Sequence, residues 1–315
     1  MKKFVLFNCS LIALLILSCT PREKHDLALN LEVGNTYILE QETSQQFKQK
    51  FMGMDVDMNH LFKVVYSLYV REYDEKRYVL DFEYRDITMD VEGSGISMAV
   101  SSERIAGADD TLSKIFNAFT GKPFTVGLTK HGEVDFVNGI EGFFDLVIAE
   151  LEFIDDDDER EAIDAFDQFI GEGGFKDNIS QLTNYLPGKP VSLRQRWENE
   201  HIQSNMGFVG KWKNEWRLTE INDDKATVIG VSNFSLLQDE ELDEPAGLMY
   251  LAQYGMDIEM DGEQETDHVI DRATGLIKQG TVNAKMDGYF KIGEGDNAMN
   301  IPISFEITSK IRLIE

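Results

Sequence analysis

Cysteine is almost absent. The 315 residues include two, Cys9 and Cys19, so no thiol exists beyond position 19. That excludes disulfide stapling, thiol catalysis and Cys-ligated zinc for the rest of the chain, and stability has to come from an ordinary core. Positive charge is scarce as well, with 30 Lys and Arg against 57 Asp and Glu. Such a surface repels phosphate backbones and anionic headgroups, so nucleic acid is not an expected partner. Histidine is sparse: His25, His60, His131, His201 and His268 fall in neither an HxH nor an HExxH spacing. No GxSxG elbow occurs, and no serine stands in a recognisable order with a histidine and an acid. The sequence therefore predicts no catalytic residue, no metal site and no cofactor. After the first twenty residues no apolar run is long enough to span a bilayer.

The chain begins with a positive Met1-Lys2-Lys3 and an apolar stretch from Phe4 to Leu17, then Ile16-Leu17-Ser18-Cys19. The apolar stretch is too short for a spanning helix and reads as a signal-peptide core. Its end resembles a lipobox, which predicts cleavage after Ser18 and lipidation of Cys19. A lipid there buries many methylenes and anchors the protein permanently. Thr20 in place of an aspartate favours the outer membrane. The expected organisation is a signal peptide over 1–18, a lipidated tether over 19–28, a first β half over 29–138, an amphipathic helical segment over 139–187 and a second β half over 188–315.

The two β halves are read from period-two alternation with β-branched and aromatic residues, as in Leu61 to Val70, Tyr78 to Ile87 and Lys225 to Phe234. Short polar turns such as Asn222-Asp223-Asp224 separate strand pairs. Gly53-Met54-Asp55-Val56-Asp57-Met58-Asn59 recurs as Gly255-Met256-Asp257-Ile258-Glu259-Met260-Asp261, and two hairpins of the first half, Phe62 to Phe82 and Phe124 to Val134, find echoes at Trp212 to Val231 and His268 to Ile277. Between the halves the period becomes helical, with Ile140, Phe143, Phe144 and Val147 on one face, Ile163 to Ile170 on a second and Phe175, Ile179, Leu182 and Leu186 on a third. The expected fold is mainly β: two similar curved antiparallel halves, as an open barrel or a sandwich, with a helical insertion between them.

Three patterns invite chemistry. The run Asp155 to Glu159 has consecutive acids rather than the alternating ligands of a calcium loop, so it reads as a solvated helix cap. Met54 and Met58, with Val56, share one strand face, and Met256, Ile258 and Met260 repeat this; the aliphatic residues among them favour core or an adaptable apolar surface over a copper site. Trp197, Trp212 and Trp216 read as core, with sugar stacking as the functional alternative.

The lipobox cysteine, the opening Leu29-Asn30-Leu31-Glu32-Val33-Gly34-Asn35-Thr36-Tyr37, the Gly53-Met54-Asp55 strand and the Thr274-Gly275-Leu276 turn resemble a family of uncharacterised bacterial envelope lipoproteins, a domain of unknown function. The resemblance implies the address and no activity. Two functions are compatible with these residues: a non-enzymatic binding module for a lipid or other apolar ligand, with Met54, Met58, Phe143, Phe144, Met256 and Met260 as candidate ligand surface, or an assembly lipoprotein that binds another envelope protein.

Overall fold

The computed structural model describes residues 22–51, 54–103, 111–140, 172–205, 208–237, 256–293 and 299–314. In chain order the elements are β1 (Lys24–His25), β2 (Thr36–Phe51), β3 (Met54–Tyr73), β4 (Arg77–Gly93), β5 (Ile96–Ser101), α1 (Thr111–Phe119), β6 (Phe124–Thr129), β7 (Val134–Asn138), α2 (Glu172–Gln181), β8 (Val191–Ser192), β9 (Arg196–Asn205), β10 (Phe208–Ile221), β11 (Lys225–Leu236), β12 (Met256–Asp271), β13 (Ile277–Ile292) and β14 (Met299–Leu313). β1 pairs with β8, and all other strands form one antiparallel sheet in the order β7-β6-β4-β3-β2-β14-β13-β12-β11-β10-β9, with β5 beside the far half of β4.

The strands follow the alternation. In β11 every second residue from Ala226 to Leu236 is buried and the residues between are not. In β3, Val56 and Met58 turn to the more buried face while Asp55 and Asp57 are exposed. The two halves meet where β2 pairs with β14, from Leu39 opposite Leu313 to Gln49 opposite Ile303. Glu40 on β2 spans this seam, with Lys63 of β3 at 2.8 Å and Arg312 of β14 at 2.6 Å. The hydrogen bond from Lys63, helped by Arg312, holds its carboxyl below the usual carboxylate range.

The sheet curls. Eleven strands laid flat would span about 48 Å, yet α2, ten residues and about 15 Å long, packs on both β7 and β9, the two ends of the sheet. β-Bulges at Val65/Tyr66, Val70/Glu72, Leu218/Glu220 and Val269/Ile270 add bend in the same part of the sheet. β7 and β9 do not hydrogen-bond to each other, so the curled sheet is an open barrel rather than a sandwich, and α2 bridges its gap. Phe175 of α2 sits edge-on to Phe124 of β6, with ring centroids 4.9 Å apart, and lies 5.9 Å from Tyr84 of β4. These contacts identify the inward face.

One end of the curl is closed. The turns at 74–76, 130–133, 222–224 and 272–275 gather there. The stretch before β2 crosses it: the Leu29 amide donates to the Lys130 carbonyl, the Asn30 amide to the Thr274 carbonyl, and Tyr78 Oη bonds both Leu29 and Leu31. Leu27, Leu29 and Leu31 are buried, and Tyr185 donates to the Gly275 carbonyl. The tether expected over 19–28 is thus already docked at Lys24, where β1 pairs with β8. Gly275, at φ 77°, turns directly against the Ala28 carbonyl, where any side chain would collide.

Of the helices expected over 139–187, the one beginning near Phe175 is α2; those carrying Phe143, Phe144 and Ile163 to Ile170 lie outside the described residues. α1 has no counterpart in the sequence reading. Its Phe116 meets Phe62 of β3 edge-on at 6.4 Å.

Candidate functional site

Two apolar clusters occupy the inward face. The larger fills the closed end and includes Leu39, Val70, Phe124, Phe175, Trp216 and Ile270. The second lies toward the opposite rim on β10 to β14, built from Trp212, Phe234, Ile258, Met260, Ile303 and Phe305, with Phe47 of β2 against Phe305 at 5.0 Å. One aromatic side chain of each cluster lies flat against the sheet because a glycine stands beside it. A Cβ at Gly210 would fall 1.8 Å from the ring of Phe234, and one at Gly230 would fall 2.5 Å from the ring of Trp216.

Between the clusters runs a polar row. Cross-strand register aligns Asn199 of β9, Asn214 of β10, Ser232 of β11 and Gln264 of β12. On the far side of the sheet the same row continues through Gln45 of β2 to His60 of β3. Next to it Thr43 and Ser309 share a hydrogen bond of 2.9 Å, and Gln41 donates to Ser309. Residues directly opposite in adjacent strands point the same way, so all of these are inward.

Seven buried side-chain polar atoms lack a hydrogen-bond partner among the described residues, and five of them lie on the inward face: His60 Nε2, Tyr66 Oη, Trp197 Nε1, Asn214 Oδ1 and Ser232 Oγ. Buried polar groups are ordinarily satisfied, so these five stand out; each has almost no accessible surface. Burial raises the pKa of Tyr66 and of Tyr84, leaving both phenols protonated at neutral pH. It lowers that of His201, which stays neutral beside Asn214.

Of the proposed ligand-surface residues, Met58 and Met260 face inward on β3 and β12, with β2, β14 and β13 between them. Met260 belongs to the rim cluster. Met54 and Met256 begin the same two strands, each opposite the end of a neighbouring strand, Phe51 and Ile292; their side chains, and Phe143 and Phe144, lie outside the described residues. The repeated glycine-methionine-acid motif therefore opens two equivalent strands, both running from the rim to the closed end. Trp197, Trp212 and Trp216 are all buried on the inward face. The Asn and Ser of the polar row were missed because alternation marks a position as inward without showing which inward residues become neighbours.

The outer face is charged. β12 alone presents Glu259, Asp261, Glu263, Glu265 and Asp267 outward in succession. Among the described residues no group of three or more His, Asp or Glu side chains is placed to hold a metal ion. An open depression of about 480 Å³ lies outside the closed end, between Asp223, Asp224, Asp271 and Arg272. Arg272 is engaged there with the Asn222 carbonyl.

A protein-family profile described as a family of unknown function (DUF6263) matches residues 75–277, from β4 to the start of β13. The chain belongs to this family. A search of curated proteins finds no match. Among solved structures it is similar to a lipovitellin, described for its lipid–protein interactions, at 8% identity over 91% of this chain with a TM-score of 0.48; the chain spans 26% of that protein. It is also similar to an outer membrane channel of Pseudomonas putida F1, at 8% identity and a TM-score of 0.28, covering 91% of this chain and 97% of the channel. OpdQ of Pseudomonas aeruginosa gives 6% identity and a TM-score of 0.26, covering 90% of this chain and all of that one.

Proposed function

We propose that this protein is an envelope lipoprotein, anchored through Cys19 and favouring the outer membrane, that binds a lipid or other apolar ligand on the inward face of its curled sheet without catalysing a reaction. The observation that carries the reading is the rim cluster around Trp212, Phe234, Met260 and Phe305. It is separate from the core of the closed end and divided from it by polar side chains, an arrangement that a single structural core does not need. The closed end supplies rigidity through α2 and the strand-to-turn hydrogen bonds, and the rim half supplies an apolar floor along strands of up to 20 residues.

Mass spectrometry of the full chain, purified gently and sprayed under native and then denaturing conditions, tests this. Lipid on Cys19 is covalent and stays with the chain under both conditions. A bound ligand adds a second mass that is lost on denaturation and recovered by organic extraction. A chain with the same mass under both conditions, which also takes up no lipid when incubated with it, overturns the reading.

A further inference from the structure

The chain is fastened to the closed end soon after Cys19. Lys24 pairs with Ser192 and His25 with Val191, Asp26 meets Lys130 at 3.2 Å, and Leu27 and Leu29 are buried. Only the steps from residue 19 to residue 24 lie before that first pairing, and fully extended they reach about 18 Å. The rim lies much farther off. β2 and β3 run between the two ends over 16 and 20 residues. That is about 50–65 Å of strand, and even at a barrel tilt of about 45° it is roughly twice the reach of the tether. A lipid on Cys19 can therefore reach the closed end and no part of the rim.

The surface of that end suits a bilayer. Val33 before β2, Tyr73 at the end of β3, Leu193 before β9 and Ile314 after β14 are all exposed there. Lys24, Lys76, Lys189, Arg194 and Lys278 are exposed at the same end and enter no ion pair among the described residues. Acids are present too, at Glu75, Asp223 and Asp224, so this end is mixed in charge, whereas the wall of the curl carries the acidic run of β12 from Glu259 to Asp267. Apolar and aromatic side chains flanked by lysine and arginine enter a headgroup layer readily. An acidic wall laid on anionic lipid is repelled.

We infer that the closed end is the membrane-facing surface: the protein stands end-on on the bilayer, with Val33, Leu193 and Ile314 in the headgroup layer and the rim directed away from the membrane that holds it. This rests on the anchorage through Cys19 and is independent of the apolar-ligand reading.

Energy transfer to labelled headgroups tests it. With Cys9 removed in the signal peptide and the Cys19 thiol acylated, an introduced cysteine is the one reactive thiol of the lipidated chain. Val33→Cys and Leu193→Cys place it at the closed end, Ser97→Cys and Asn300→Cys near the rim, all at exposed positions. Each lipidated variant, carrying one fluorescent donor, is bound to vesicles of phosphatidylethanolamine and phosphatidylglycerol with an energy acceptor on a trace of the headgroups. Donor emission is expected to be strongly quenched at positions 33 and 193 and nearly unchanged at 97 and 300. Quenching at either rim position as strong as at the closed end overturns the end-on placement and leaves the anchorage standing. Flotation of the same vesicles reads the anchorage separately, and a chain that does not float with them overturns both.

Discussion

His268 shows how the interior treats a polar side chain. It is 3% exposed, stacked on Trp216 at 6.2 Å and edge-on to Tyr185 at 5.6 Å. Its Nδ1 lies 3.2 Å from the Asp267 carbonyl, which can only accept, so Nδ1 carries the proton. Burial pushes its pKa from 6.5 to about 4, outweighing that hydrogen bond. The unfolded chain binds a proton below pH 6.5 and the folded chain does not until about pH 4, so stability is complete above 6.5 and declines between those values. Between pH 7.5 and pH 5 this residue alone should cost about 2 kcal/mol. Urea unfolding at the two pH values should show a smaller loss for His268→Gln than for the native chain by that amount, whereas equal losses would mean the ring is hydrated in the folded protein.

Among the elements, α2 decides whether the curl holds. It is one of few helices in a molecule of strands, and it replaces the hydrogen bonds that β7 and β9 do not make with each other. Phe175 is its anchor, 1% exposed between Phe124 and Tyr84. Phe175→Ala should destabilise the protein by about 3–5 kcal/mol, and hydrogen exchange should quicken in Val134–Asn138 and Arg196–Asn205 before it does in β2 and β14. Uniform quickening across the sheet would show that α2 is only one more piece of core.

Much of this was legible beforehand. Strict alternation placed β3, β4 and β11, and Phe175, Ile179, Leu182 and Leu186 announced a helical segment. The joining of the halves was not, because β2 and β14 pair residues about as far apart as Leu39 and Leu313, and nothing local encodes that register. α1 was missed as a nine-residue element among strands. Nor could alternation reveal the polar row, since Asn199, Asn214, Ser232 and Gln264 become neighbours only when four strands are laid in register.

For the molecule as a whole, the asymmetry of the curl is the central feature: a plugged, bonded end, an apolar rim, an acidic exterior and, among the described residues, an inward face without charge. The acidic exterior repels anionic headgroups.

All three tryptophans of the chain lie on the inward face, Trp197 and Trp216 beside the polar row and Trp212 within the rim cluster, so the entire tryptophan emission reports on that interior. Titrating the full chain with an uncharged lipid brominated along its acyl chain is therefore the most direct test. Saturable quenching, reversed by unbrominated lipid and reduced by Trp212→Phe, is the predicted result. Emission that the brominated chain leaves unchanged, or quenches without saturation, would contradict a ligand-binding interior.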